Sequence, residues 1–568
     1  MANEVHLRQS GKRDSAAIVK ELSLFSPRRG TEIKKARRCL INPKHGGLSN
    51  DQALALMVDA NLSTHQYGVI RDQSKLIKKN LYPPYYKVKA AKLLCYPSDI
   101  SVSETHAEVK LQSLMDHTII RLCKVQEEVL KTIKHIKNLD IIVKWGCDGA
   151  EQNRYKQKFS ESYSSDASLF SISMVPIQMY AMNDQSGIQI VWKNPSTSST
   201  RYCRPIKFVF AKETTNVIVT EVDKIKAQAA SLVPTKMIVE DMEILVKSTL
   251  IFCMIDGKIC NAVSSCTSTQ TCYICGAKPS EMNNEELILE KSVRSEFLSL
   301  GISPLHSWIR LFECILHISY RLDIKTWQAR GTENKIKVAE KKKYLQEKFR
   351  SELGLLVDMP KQQTGNTNDG NTARKFFQNA EKSAEITGVK LELIKRFHVI
   401  LETINSGYFI NVVKFHEFSK ATRELYFKEY SWYPMPVSVH KILFHGKDII
   451  SACVLPIGQM SEEAQEARNK HNRKFRELFT RKSSRINTNR DLLNRLLISS
   501  DPYIASLRAP PKTKLGKINP EVNELLEIRI PTIEHEIPVD ELGTDSDGSE
   551  IESEDSYSIF IVFTFILI

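Results

Sequence analysis

An α/β fold is what this sequence predicts, and three observations predict it. Between residues 139 and 270, β-branched and aromatic runs end at Gly, Pro or polar residues, as strands do. A helical stretch, NVIVTEVDKIKAQAASLV, lies between the last two runs, and strands with an intervening helix make an α/β core. On both sides of this region apolar residues recur at spacings of three and four, the period of helices. With 568 residues, 42% of them hydrophobic, the chain exceeds one compact domain and has material for several cores.

The elements follow in order. Residues 1–47 form a basic arm, in which Arg28, Arg29, Lys34, Lys35, Arg37 and Arg38 make two clusters. Such clusters suit a nuclear address, a DNA-contacting arm or a solvated segment. Residues 48–135 read as helical: LSNDQALALMVDANLST opens with a cap, and Glu104–Ile136 contains no Gly or Pro. Residues 136–270 carry the strand-like runs LDIIVKWGCDG, SLFSISMVPIQMYA, RPIKFVFAKE and ILVKSTLIFCMIDGK. Residues 271–445 return to helix, clearest in LHSWIRLFECILHISYRL and VAEKKKYLQEKFRSELGLL, with a polar loop at QQTGNTNDGNTARK. Within 446–505, DIISACVLPIG is expected to be a strand leading into the charged helix SEEAQEARNKHNRKFRELFTRK, which Ser461 would cap. Residues 506–568 are Pro- and charge-rich and predicted to be disordered, with an acidic stretch and an apolar end.

Charge narrows the partners. The chain carries +14, and residues 540–555 hold eight acids and no base, which leaves the remainder at +22. A body this basic suits a polyanion, nucleic acid being the commonest, although a merely soluble basic protein reads the same way. No apolar run reaches 18 residues, and the terminal SIFIVFTFILI is too short to span a bilayer, so no membrane role is expected. The polar, basic N-terminus is not a secretory signal, and the twelve cysteines are scattered except for Cys272 and Cys275. A reducing compartment is therefore expected, where Cys-x-x-Cys serves metal or redox chemistry.

Several residues could carry chemistry. Asp148 follows Ile141–Ile142–Val143 and precedes Gly149; Asp256 follows Leu250–Ile255 and precedes Gly257. An acid at the end of a strand is held rigidly yet open to substrate, and two on neighbouring strands could share hard cations such as Mg²⁺. Taken singly, each is more commonly a turn-former, since Asp-Gly is a frequent turn pair. Glu462, Glu463 and Glu466 open a charged helix that reads equally well as a solvated one, its acids paired with Lys and Arg. Cys272-x-x-Cys275 with His440-x-x-x-x-His445 satisfies tetrahedral zinc, and the long gap means that the metal would pin two distant parts of the chain together. Free thiols and ordinary histidines are the plain alternative. A zinc hydrolase is disfavoured, because two Cys and two His leave no open position for water.

Seven segments then occur in one order: WGCDG at Asp148, CRPIKFVFAKE ending at Glu213, MIDGK at Asp256, CYIC, DGNTARK at Asp369–Lys375, the His440/His445 pair, and SEEAQEARNK around Glu466. In this order the chain, from about residue 48 to about 500, resembles the Transib transposases and the catalytic subunit of the V(D)J recombinase. The resemblance implies a ribonuclease-H-like core split into residues 136–270 and 446–505, with residues 271–445 as a helical zinc-binding insertion. It implies a DDE site made of Asp148, Asp256 and Glu466, the last chosen because Asn469 and Lys470 follow at the family's spacing. Glu213 would be a further acid near the metals, Cys272, Cys275, His440 and His445 the zinc ligands, and Arg374 and Lys375 a DNA-handling pair. Helices of 48–135 would recognise DNA ends and dimerise. The recombinase's RING-type N-terminal module is not visible here, and the acidic and apolar tail has no counterpart.

The activity so implied is cut-and-paste transposition: nicking and hairpin formation at element ends, then joining of 3′-hydroxyls to target DNA. Mg²⁺ or Mn²⁺ would serve chemistry and Zn²⁺ structure. The expected partners are the terminal inverted repeats, target DNA and a second copy of the chain, and the expected location is the nucleus. The alternative is a domesticated, catalytically silent DNA-binding protein of the same origin.

Overall fold

The computed structural model describes residues 47–527, apart from 78–79, 133–136, 153–154, 161–164, 184–186, 240–241, 361–364 and 510–518. The basic clusters of the N-terminal arm and the acidic, apolar tail lie outside the described residues. The chain divides into two compact units, with the boundary between Leu94 and Cys95.

In the first unit, α1 (Asn50–Asp59), α2 (Thr64–Leu76) and α3 (Tyr85–Leu93) follow one another. Ser49 with Gln52, and Ser63 with Gln66, form capping boxes that satisfy the first free amides of α1 and α2. Ala53, Leu54, Met57 and Val58 of α1 are buried, as are Val88 and Ala91 of α3. Tyr67 is buried too, and its hydroxyl donates to the Pro83 carbonyl at 2.7 Å.

The second unit is built on one mixed sheet. Its elements are β1 (Ile100–Val102), β2 (His106–Val109), α4 (Leu111–Val125), α5 (Glu127–Thr132), β3 (Asn138–Glu151), β4 (Ser168–Asn183), β5 (Gly187–Lys193), β6 (Arg204–Val209), α6 (Thr215–Ala230), β7 (Thr235–Val239) and β8 (Met242–Met254). Strand order is β1-β2-β6-β4-β3-β8-β7, with β5 also on β4. The long strands β3 and β4 are antiparallel, whereas β3 and β8 run parallel, the arrangement that a helical crossover such as α6 permits. β3 reads as a continuous apolar run because Ile141, Val143, Trp145 and Cys147 are buried along with Ile142.

From α7 (Gly257–Val263) onward the labelled elements are helices: α8 (Glu285–Glu290), α9 (Pro304–Ser319), α10 (Thr332–Leu353), α11 (Gly370–Gln378), α12 (Ala380–Thr387), α13 (Leu391–Asn405), α14 (Val412–Tyr430) and α15 (Val437–Ala452). The chain then returns to the sheet with α16 (Glu463–Leu478), α17 (Arg485–Ser499) and α18 (Pro502–Leu507), and α19 (Pro520–Glu524) ends the described part. Helix α16 packs on β3, and α17 on β2 and β6.

Four expectations are corrected. Residues 506–568 are not disordered throughout, since Pro520–Glu524 is a short helix with Val522, Leu525 and Leu526 buried. QQTGNTNDGNTARK is not a loop throughout, since Asp369 caps a helix that begins at Gly370. The stretch Glu104–Ile136 is not helical throughout: His106–Val109 is a strand whose side chains alternate between half-buried and buried, and helix begins only at Leu111. DIISACVLPIG is not a strand either. Val439, Ile442, Leu443 and Ile449 are buried at helical spacing, so α15 continues to Ala452. The Ser461 hydroxyl does accept the Glu463 amide at 3.2 Å, although Glu462 stands at the cap position.

Candidate active site and metal centre

The parallel pairing of β3 and β8 brings the first two acids to the same edge. Gly146 lies opposite Met254, and Asp148 and Asp256 each stand two residues further on, across a spacing of about 4.8 Å between strands. Close approach demands glycine here: a Cβ on Gly146 would lie 2.0 Å from the Met254 carbonyl oxygen. Asp256 also caps α7, accepting the Ile259 amide at 2.8 Å, so its carboxylate is held in place. Glu213 enters from the segment after β6. A Cβ on Gly149 would meet the Glu213 Cβ at 2.7 Å, so a glycine beside Asp148 makes the room.

Helix α16 brings the third acid. It is tied to the sheet by uncharged groups: Asn469 Nδ2 donates to Asp148 Oδ2, Ser171 Oγ donates to Asn469 Oδ1 at 2.9 Å, and Gln465 Nε2 donates to Ser171 Oγ at 2.8 Å. Ser171 is the β4 residue opposite Asp148. Deeper in β3, the wholly buried Lys144 donates to the carbonyls of Gln459 and Ser461, at 2.9 and 2.6 Å. Burial pushes the Lys144 ammonium down to about 8.

The three glutamates of α16 have separate surroundings. Glu462 is buried and accepts from Ser303 Oγ, from the His306 amide at 3.1 Å and from His306 Nδ1 at 3.0 Å. Burial raises its carboxyl, but His306 and Ser303 bring it below the usual range on balance. Glu463 is paired with the buried Arg374, whose guanidinium lies 5.7 Å from the Trp308 ring centre. Glu466 faces the acids. Burial raises its carboxyl, and the charges of Glu462 and Asp256 add to that rise. Asp148 is pushed well above the carboxylate range by burial, then by Glu466, Asp256 and Glu213. Glu213 rises through burial and Asp256, opposed by Lys258, whose Nζ lies 2.6 Å from Glu213 Oε2. Asp148 thus feels the charge of the other three acids.

His306, on α9, went unnoticed in the sequence. Its Nδ1 meets Glu462 and its Nε2 lies 3.6 Å from Glu466 Oε1. Burial opposes its charge, yet Glu462, Glu466 and Asp256 raise it to about 9, so it is an imidazolium at neutral pH. The residue type gave no signal, since SPLHSW reads as an ordinary helix start.

A second group lies in the helical part. Cys272, Cys275, His440 and His445 place one ligand atom each within 4.8 Å of one another, and they are the group among the described residues that converges this closely. Gly276, at φ 71°, allows the tight turn in which its amide donates to the Cys272 carbonyl at 2.7 Å. Cys272, His440 and His445 are buried, and Cys275 is nearly so. Hydrogen bonds from Cys275, His440 and His445 stabilise Cys272 as a thiolate and hold its pKa far below the ordinary thiol value. His445 Nε2 is buried without a hydrogen-bond partner. Two thiols, two imidazoles and an unpartnered ring nitrogen fit a tetrahedral metal ion.

The basic pair separates. Arg374 is turned inward to Glu463, while Lys375 is exposed. A cavity of about 1130 Å³ runs from Asp256 past residues 267–271 to Trp327 and Tyr433, with Lys258, Lys278, Arg310 and Lys441 in its wall.

No protein family and no curated protein matches this chain. Among solved structures it is similar to the Drosophila P element transposase strand transfer complex, at 10% identity and a TM-score of 0.31, over 85% of this chain and 100% of that one. Similarity this distant leaves the functional reading to the site itself.

Proposed function

We propose that the protein is a DDE-class DNA transposase of the Transib type, with a ribonuclease-H-like core. The observation that carries this reading is the meeting of Asp148, Asp256 and Glu466 from β3, the end of β8 and the first turn of α16. Their residue types support it: hard carboxylate oxygens suit Mg²⁺ or Mn²⁺, and the buried, partnerless Glu213 Oε1 adds a donor. Mutual repulsion among acids with raised pKa values is relieved by divalent cations. Two such ions, when bound, would stabilise the attacking and leaving oxygens of an in-line displacement at phosphorus.

The chain's own groups set the geometry. Asn469 orients Asp148, the α7 cap orients Asp256, and His306 spans Glu462 and Glu466. The cations of the adjoining cavity are placed to meet DNA phosphates, and Lys375 offers another contact. Zinc at Cys272, Cys275, His440 and His445 would fasten the loop after α7 to α15, a structural duty with no open coordination position. The two ends of an element must be joined together, so a homodimer is part of the proposal, as is a nuclear location.

The experiment is purified protein with Mg²⁺ and DNA bearing the terminal repeats that flank its gene, scored for nicks, hairpins and joined products. Asp148→Asn is expected to abolish cleavage while DNA binding stays near wild type. Normal nicking by that variant overturns the assignment. Binding without cleavage by the wild type identifies the domesticated, silent alternative.

A further inference from the structure

Lys258 stands where a helix least favours a cation. Asp256 caps α7, and Lys258 follows two residues later in the first turn, at the positive end of the helix dipole. Its side chain is half exposed, yet it is committed: Nζ contacts both Glu213 Oε2, at 2.6 Å, and the Glu213 carbonyl, at 3.0 Å. Glu213 is 15% exposed, and its other oxygen has no partner. Among the described residues, the ion pairs made by the four acids are Glu213–Lys258 and Glu466–His306. His306 is also fixed by Glu462, whereas Lys258 pairs with Glu213 alone among the described residues and sits on a long, flexible stem.

We propose that Lys258 is a built-in competitor for one divalent cation: its ammonium balances Glu213 while the cluster is metal-free and yields that carboxylate when the cation enters. The inference rests on the carboxylates being a divalent-cation site. An incoming ion must displace the ammonium, so it binds more weakly than it would to a free Glu213. Displacement has a second consequence. Lys258 lines the cavity beside Asp256, so the released ammonium remains at its wall, where a DNA phosphate would lie. One lysine then serves the empty site and the substrate in turn.

Calorimetric titration of Mn²⁺ into zinc-loaded, full-length protein tests this without any activity measurement. Lys258→Met is expected to bind the weaker Mn²⁺ roughly five- to tenfold more tightly than wild type. Lys258→Arg, which keeps the charge, is expected to stay near wild type. In a Glu213→Gln background the effect of Lys258→Met should vanish, which a purely structural lysine would not produce. Equal or weaker Mn²⁺ binding by Lys258→Met overturns the inference while leaving the carboxylate site standing. Wild type that binds no Mn²⁺ beyond the Cys₂His₂ group overturns the site and the inference together. With Ca²⁺ present, Lys258→Met should lower the slope of log DNA affinity against log salt by about 0.9. An unchanged slope overturns the phosphate-binding half.

Discussion

Replacing Cys272 by serine should unfold the helical part of the protein, and the size of the effect can be bounded. Cys272 is wholly buried, and its thiolate is one of four ligand atoms within 4.8 Å. A serine hydroxyl is a poor zinc ligand, so the metal would be lost. The lower bound counts the protein alone: the histidines stay buried without their partner, at about 1–3 kcal/mol for each orphaned polar group. The upper bound is the binding energy of a structural zinc, on the order of 10–16 kcal/mol in isolated finger peptides. A typical domain has only about 5–15 kcal/mol of stability, so even the lower bound is a large fraction. The assay is zinc content by mass spectrometry alongside thermal melting, with wild type in chelator as the parallel. The variant should lose about one zinc per chain and melt like chelated wild type. If Cys272→Ser keeps both its zinc and its melting temperature, the metal reading of this cluster is refuted.

Two further outcomes can be checked directly. Arg374→Ala should cost about 3–5 kcal/mol by leaving Glu463 buried and unpaired, seen as a lower denaturation midpoint, whereas Lys375→Ala should weaken DNA binding with stability unchanged. If instead Arg374→Ala weakens DNA binding at full stability, the inward placement has no energetic consequence. His306, raised to about 9, gives a pH dependence: its folded pKa exceeds the unfolded value, so its stabilisation is complete below about 6.5 and is lost as pH rises through about 9. At its fullest this contribution is on the order of 3 kcal/mol. His306→Ala should therefore flatten the fall in melting temperature between those limits, and an identical fall in both proteins would remove the imidazolium.

Much of the sheet was legible because its strands are long apolar runs with clear ends. β3, β4, β6 and β8 coincide with such runs, and α6 with the helix read between them. β2 was hidden because four residues, without Gly or Pro beside them, offer too little alternation to outweigh a helical neighbour. DIISAC misled for the opposite reason: its adjacent isoleucines look β-like until the buried positions of the preceding turns are counted with them. At the site, residue type pointed to Asp148, Asp256 and the cysteine pair. Their neighbours could not be read. His306 comes from a helix 50 residues after Asp256, and Lys144 from the interior of a strand, where a lysine ordinarily argues against burial. Arg374 entered through the resemblance alone, as one of a DNA-handling pair, and nothing in a linear sequence tells an inward arginine from an outward one.

The same neighbours explain how α16 resolves its three glutamates. Glu462 and Glu466 are one turn apart and therefore share a face, the face that meets His306. Glu463 is rotated by about 100° from Glu462 and points to Arg374 instead. Glu462 and Glu463 are thus consumed by internal cations, and each pairing fixes the start of the helix. Among the described residues Glu466 makes the longer ion pair, to His306, and faces Asp148 and Asp256. Its carboxyl is raised, not stabilised, by that position, and the same holds for Asp148. Acids that repel one another would separate if only their own preferences counted. They are kept close by the Asn469–Ser171–Gln465 chain, by Lys144 beneath the loop before α16, and by the cap that holds Asp256. Those bonds carry no charge of their own toward the cluster, except the lysine's, which is spent on carbonyls. Among the described residues Lys258 meets Glu213 and His306 meets Glu466, while Asp148 and Asp256 make no ion pair, so the repulsion that raises Asp148 is not relieved from within. Neutral groups setting position, with no cation paired to Asp148 or Asp256 among the described residues, is the arrangement on which the proposed metal site depends.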